Sequence, residues 1–153
     1  MNPPASPIFE ELDEEAIKDI LARNNVGRIA FSFRDRVDLE PIHYVYHDGW
    51  LYMRTSPGRK ALTLRHNRWV AFEVDEVEDV FWWRSVVVQG PVYILDPEES
   101  PQAEETYFKA VELLRGIVPE TLTVDDPVPD RDIVFRLAVQ TFRGLASWPG
   151  EQQ

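Results

Sequence analysis

The chain contains no cysteine among its 153 residues, which excludes a disulfide framework, a thiolate metal site and a cysteine nucleophile. Histidine is scarce too: His43, His47 and His66 stand apart without the spacing of metal ligands, so no protein-bound metal is expected. Positive charge is in short supply. Lys and Arg number 16 against 27 Asp and Glu, a formal net charge of −11, and no basic run offers a local exception, so neither nucleic acid nor an anionic membrane is an expected partner. No apolar run approaches the length of a membrane span and nothing resembles a signal peptide, so the expected location is the cytoplasm. Ser32, Ser56, Ser85, Ser100 and Ser147 show no nucleophile-elbow pattern, which leaves hydrolase chemistry without support.

What is present suits a folded domain: 44% of residues are hydrophobic and 28% charged. Residues 1–11 read as a flexible tail, 12–149 as one domain and 150–153 as a second tail. Asp13 can cap a helix with Glu14 and Glu15 in its first turn and Ile17, Ile20 and Leu21 on one face, ending at Asn24-Asn25. Strands are expected at 26–33, 39–46, 50–55, 69–77, 80–95 and 133–142, with turns at Arg34-Asp35-Arg36 and His47-Asp48-Gly49. The strand over 80–95 bends at Gln89-Gly90, where glycine marks a bulge or a close approach. A short helix spans 57–66, and Ser100-Pro101 opens another that runs to Gly116. Three prolines and several acids make 119–130 a surface loop. The pattern predicts a mainly β protein, an antiparallel barrel with flanking helices.

Thr55-Ser56-Pro57-Gly58-Arg59-Lys60 is the most informative stretch. Ser56 suits an N-cap, Pro57 the first helical position, and Gly58 leaves the following amides uncovered beside two cations. Two readings fit: a capped surface helix with solvated cations, or a site for a phosphate monoester. In so acidic a chain, the local positive patch favours the anion. Alternation puts Phe81, Trp83, Ser85, Val87 and Gln89 on one face of their strand and Trp82, Arg84, Val86 and Val88 on the other. This suits a barrel core on one side and a subunit or flat ligand on the other, or else a sandwich core with a snorkelling Arg84. His43 reads as a hydrogen-bonded structural residue, and Glu73, Asp75 and Glu76 as a solvated strand edge.

Five pieces occur in one order: Val26-Gly27-Arg28-Ile29-Ala30-Phe31; Pro41-Ile42-His43-Tyr44 with Asp48-Gly49; Leu51-Tyr52-Met53-Arg54-Thr55 running into Gly58-Arg59-Lys60; Val70-Ala71-Phe72-Glu73-Val74-Asp75; and Ser85-Val86-Val87-Val88-Gln89-Gly90. This order resembles the pyridoxamine 5′-phosphate oxidase-like flavin-binding split-barrel superfamily, nearest its nitroimidazole-reductase-like branch, over about residues 12–95. The resemblance implies a six-stranded antiparallel Greek-key split barrel and a homodimer with flavin mononucleotide (FMN) in clefts at the subunit interface. Deazaflavin or haem are the alternative cofactors. Arg59 and Lys60, assisted by Ser56, would then meet the flavin phosphate. Pro41, Ile42, His43 and Tyr44 would border the ring, Arg54 and Thr55 would follow the ring and ribityl chain, and Trp83, Arg84 and Ser85 would approach from the interface. A cation at Arg54 near the pyrimidine edge would favour the reduced cofactor. The implied activity is oxidoreduction of a small organic substrate, with a nicotinamide donor as a candidate electron source and no catalytic side chain assigned. A flavin carrier or sensor without turnover is the alternative. The ending Phe142-Arg143-Gly144-Leu145-Ala146-Ser147-Trp148 sets the chain apart from the true oxidase, and Arg54 replaces the histidine usual in nitroimidazole reductases.

Overall fold

A computed structural model describes residues 6–150. Its elements in chain order are β1 (Ile8–Glu11), α1 (Glu14–Arg23), β2 (Val26–Phe33), β3 (Arg36–His43), β4 (Val45–His47), β5 (Trp50–Thr55), α2 (Arg59–His66), β6 (Trp69–Asp79), β7 (Trp82–Ile94), α3 (Pro101–Arg115), β8 (Ile133–Ala138) and β9 (Thr141–Trp148). All observed strand pairings are antiparallel. The class is therefore the expected one, but among the described residues the strands number nine rather than six. One extra strand comes from residues 8–11, expected in a tail: Ile8 pairs with Trp148 and Glu11 with Leu145. The other two arise where expected strands break. The remainder of the tail, residues 1–5, and positions 151–153 lie outside the described residues.

Local chemistry explains most element boundaries. The Asp13 carboxylate accepts from the Ala16 amide at 2.9 Å, and Ser100 Oγ accepts from the Ala103 amide at 3.0 Å, so both longer helices start on a side-chain cap. The β2–β3 turn has left-handed Arg34 and Asp35 (φ 51 and 62), and the β4–β5 turn has left-handed Asp48 and Gly49 (φ 47 and 82), the twist that two-residue hairpins require. The strand expected over 133–142 breaks at Val139-Gln140, whose amides bond Gly49 O at 3.0 Å and Gln89 O at 3.1 Å instead of a ladder. Gly90 makes this crossing feasible, because a Cβ there would fall 1.8 Å from the Ala138 carbonyl oxygen.

The sheet runs β3-β2-β6-β7-β8-β5-β4, and the strands at its two ends are consecutive in the chain, joined by the single residue Tyr44. Tyr44 is fully buried. Its amide donates to Asn25 O at 2.9 Å and its hydroxyl to Leu21 O at 2.8 Å, which ties the seam to the end of α1 and ends β3. Burial, with the Glu76 charge as a lesser cause, pushes the Tyr44 phenol well above its ordinary pKa. Ile29, Leu51, Met53, Phe72, Val88 and Phe135 fill the barrel, while Tyr52 and Val134 on its outer side pack against Ala110, Val111 and Leu114 of α3. No helix among the described residues is long and apolar enough to cross a membrane.

Candidate functional site

The β2–β3 hairpin, the end of β5 and the start of α2 converge on an open cleft of about 470 Å³. Pro41, Ile42 and His43 border it from β3, Arg54 and Thr55 from β5, and Ser56, Arg59 and Lys60 from the approach to α2. These eight residues, from three elements in two sequence segments, were each expected at a ligand site, and the fold brings them to one place. Val26, Glu40, Pro57, Gly58 and Arg131 complete the wall.

The helix start differs from expectation. α2 begins at Arg59 rather than Pro57, and its N-cap is Gly58, which provides no side-chain cap. Ser56, expected to cap, lies too early and points its hydroxyl to Asp130 Oδ2 at 3.2 Å. The physical reason is Gly58: at φ 144 it adopts a turn that side-chain-bearing residues avoid, and this delays the helix by two residues. The first backbone bond of the helix runs from the Leu62 amide to Gly58 O at 3.0 Å, so the amides at 59, 60 and 61 precede it. A Cβ on Gly58 would meet nothing within 4 Å, so the approach to these amides is open. Arg59 is exposed, while Lys60 is half-buried and ion-paired with Glu40 across the cleft.

Arg54 is committed to a partner that sequence reasoning did not find. Its Nη1 and Nη2 donate to the two oxygens of Asp126 at 2.6 and 3.0 Å, with a longer contact from Nη1 to Arg131 O at 3.4 Å. Both side chains are nearly buried, at 9% and 1% exposure. The Asp126 carboxylate also accepts the amides of Leu122 at 2.8 Å and Val128 at 3.0 Å. The Arg54 hydrogen bond, with those amides assisting, holds the Asp126 carboxyl well below the usual carboxylate range. The stretch 119–130 is the mostly exposed loop expected, and Asp126 additionally pins it to β5 as a wall of the cleft. Arg54 brings no uncompensated cation to the cleft, which corrects the expectation that its charge would act on a ring there.

The remaining expected residues lie elsewhere. Tyr44 is the core seam and does not border the cleft. Trp83 and Ser85 line a different hollow, with Leu12 and Phe142 among its walls. Arg84 contacts Glu76 at 3.3 Å, and Ser85 Oγ donates to Glu73 Oε2 at 3.1 Å. Glu76 also receives Arg23 Nη2 at 2.5 Å and Asn24 at 2.8 Å; the Arg23 hydrogen bond is the main cause that lowers its pKa to about 2. Burial first, then the neighbouring Asp75, pushes Glu73 up. These acids form a half-buried network rather than a solvated edge.

Among the residues that sequence reasoning missed, Glu40 had a legible signal: it shares strand parity with the inward-facing Ile42 and Tyr44. Asp126 and Arg131 had none, because their importance depends on where an irregular segment folds back. Among the described residues no group of three His, Asp or Glu side chains is placed to hold a metal ion.

The family model for pyridoxamine 5′-phosphate oxidase matches residues 13–144. A FAD-binding protein from Mesorhizobium loti is 24% identical, with a TM-score of 0.75 over 92% of this chain and 99% of that one. The FAD and haem binding protein of Mycobacterium smegmatis is 18% identical, with a TM-score of 0.68 over 92% and 75%. A candidate 5-nitroimidazole antibiotic resistance protein from Bacteroides thetaiotaomicron is 17% identical, with a TM-score of 0.67 over 95% and 91%. At these identities the likeness shows the fold, a split barrel. No curated protein matches the chain.

Proposed function

The chain belongs to the pyridoxamine 5′-phosphate oxidase family, and from that premise we propose that it binds flavin mononucleotide in the β3–β5–α2 cleft and serves as an oxidoreductase of a small organic substrate. One observation carries this reading: the uncapped start of α2, with Arg59 and Lys60 beside it, opens into the same cleft that Pro41, Ile42 and His43 border. The donor set fits a phosphate dianion, since helix amides and two cations meet at one end of the cleft. Pro41, Ile42 and His43, which border the same cleft from β3, would face the ring. Bound flavin supplies reversible electron transfer, and the protein's share is binding, orientation and polarity.

The residues divide that work. Arg59 and the amides at 59–61 hold phosphate oxygens, and Lys60 joins them by leaving Glu40. Thr55, nearly buried, presents its hydroxyl along the chain between phosphate and ring. The Arg54–Asp126 pair fixes the wall behind it and contributes no net charge. β3, which borders the cleft, is an edge strand on which Val37 and Leu39 are 76% and 62% exposed. A second copy of the chain would cover that edge, giving a homodimer in which Trp83, Arg84 and Ser85 approach the cleft of the other copy.

A second reading, FAD, is favoured by one feature: Arg59 also borders an adjoining groove of about 830 Å³ with Phe33, Arg34 and His66 among its walls. A dinucleotide would place its second phosphate past Arg59 and its adenine there. The purified protein's absorption spectrum tests the proposal, and the mass of the released cofactor separates the two flavins. A flavin spectrum supports it. A deazaflavin band, a Soret band or failure to take up added flavin overturns it. Bound flavin that no reductant or nicotinamide donor reduces would leave a carrier instead of an enzyme.

A further inference from the structure

We propose a second ligand site, for a small aromatic anion, at the opposite end of α2 from the flavin cleft. It is a separate open hollow of about 460 Å³, within the span of small-molecule pockets, bordered by the end of α2, the end of β7, the start of β5, β8 and the first two turns of α3. Three arginines line it: Arg65, Arg68 and Arg136. Among the described residues none of the three is in an ion pair, although acids outnumber bases in the chain 27 to 16. The acids on the rim are Asp96 and Glu99, and Asp96 is engaged with the Glu98 amide at 2.9 Å. Arg65 answers the dipole at the C-terminus of α2, whereas the other two have aromatic rings and no carboxylate beside them.

The aromatic component is equally specific. The Arg136 guanidinium lies 3.5 Å from the Trp50 ring centroid and that of Arg68 lies 5.8 Å from Tyr93, and the two rings meet edge-on at 6.0 Å. Arg136 is poorly satisfied: its contact to Tyr52 Oη is long at 3.4 Å, and its Nε is a buried donor without a partner. The frame is fixed by backbone bonds from Val92 N to Arg68 O at 2.8 Å and from Leu95 N to Val134 O at 2.9 Å. A hollow lined by three guanidiniums outside any ion pair, beside two rings, matches a planar aromatic group bearing a carboxylate or a phosphate.

Calorimetric titration of the flavin-saturated protein with phenyl phosphate, benzoate, inorganic phosphate and benzyl alcohol tests this. Saturable binding of phenyl phosphate or benzoate is expected, at least tenfold tighter than inorganic phosphate or benzyl alcohol; the better of the two anions identifies the acidic group. The exposed pair R65A/R68A should weaken it at least tenfold, and Y93L should remove the advantage of the aromatic probes over inorganic phosphate. K60A should leave it unchanged. No saturable binding, equal affinity in R65A/R68A, or loss on K60A instead would each overturn the site. Because the K60A arm reports on the flavin cleft alone, failure here is distinguishable from failure of the flavin reading.

Discussion

Lys60 and Glu40 form an ion pair across the mouth of the cleft, so the second of the two adjacent cations is already partnered before any phosphate arrives. An incoming dianion must displace a carboxylate that is itself partly solvated, at 39% exposure. Replacing Glu40 with Gln frees the ammonium. FMN should then bind up to about fivefold more tightly, while riboflavin, which lacks the phosphate, should be unaffected. Fluorescence titration of both flavins checks this, and a parallel gain for riboflavin would show that Glu40 acts on the ring instead.

The double variant R59A/K60A removes two charge-assisted contacts, each worth about 1.5–3 kcal/mol, and should weaken FMN by two orders of magnitude or more. Riboflavin should bind the variant about as well as FMN does. Equal FMN affinity in variant and wild type would place the phosphate elsewhere.

Asp126→Ala strands the nearly buried Arg54 guanidinium without its carboxylate and releases the amides of Leu122 and Val128. Its Tm should fall by several degrees, and protease cleavage within 119–130 should accelerate. The pair R54M/D126L, which removes both charges, should recover much of the Tm but none of the loop's protection. A Tm unchanged in D126A would mean that the pair does not hold the wall.

Acid unfolding should carry the signature of Glu76. Its carboxyl has a folded pKa of about 2 against 4.5 for the free group, so the unfolded state binds the proton more tightly. That contribution is fully present above about pH 4.5 and is lost as pH falls toward about 2. Asp126 acts in the same direction, whereas Glu73, whose pKa is raised, gains stability as it protonates and partly offsets them. Tm measured from pH 7 to 2 should fall less steeply below pH 4.5 in E76Q than in wild type, and identical slopes would remove Glu76 from the account.

The sequence exposed what depends on neighbours along the chain. The bounds of β2, β5 and α3 follow from alternation or caps, and the cleft's Pro41–His43 and Arg54–Lys60 segments stood out by residue type and order. The remainder depended on distant parts of the chain. β9 escaped because its inward side presents Gly144 and Ala146, whose small side chains give almost no apolar period. The break at Tyr44 escaped because a tyrosine within an alternating run looks like any strand residue until its hydroxyl finds the Leu21 carbonyl. Arg54 was legible as a cleft residue but not as half of a pair, since Asp126 lies 72 positions away.

The Tyr44 seam has a mechanical consequence. His43, the last residue of β3, borders the cleft, and the next residue is bolted through its phenol to the final turn of α1. A displacement of that helix is therefore transmitted, through a side chain seated in the core, to a point one peptide bond from the rim. The hydroxyl works as a hinge pin, and removing that one oxygen with Tyr44→Phe would uncouple helix from rim while leaving the ring to fill its space.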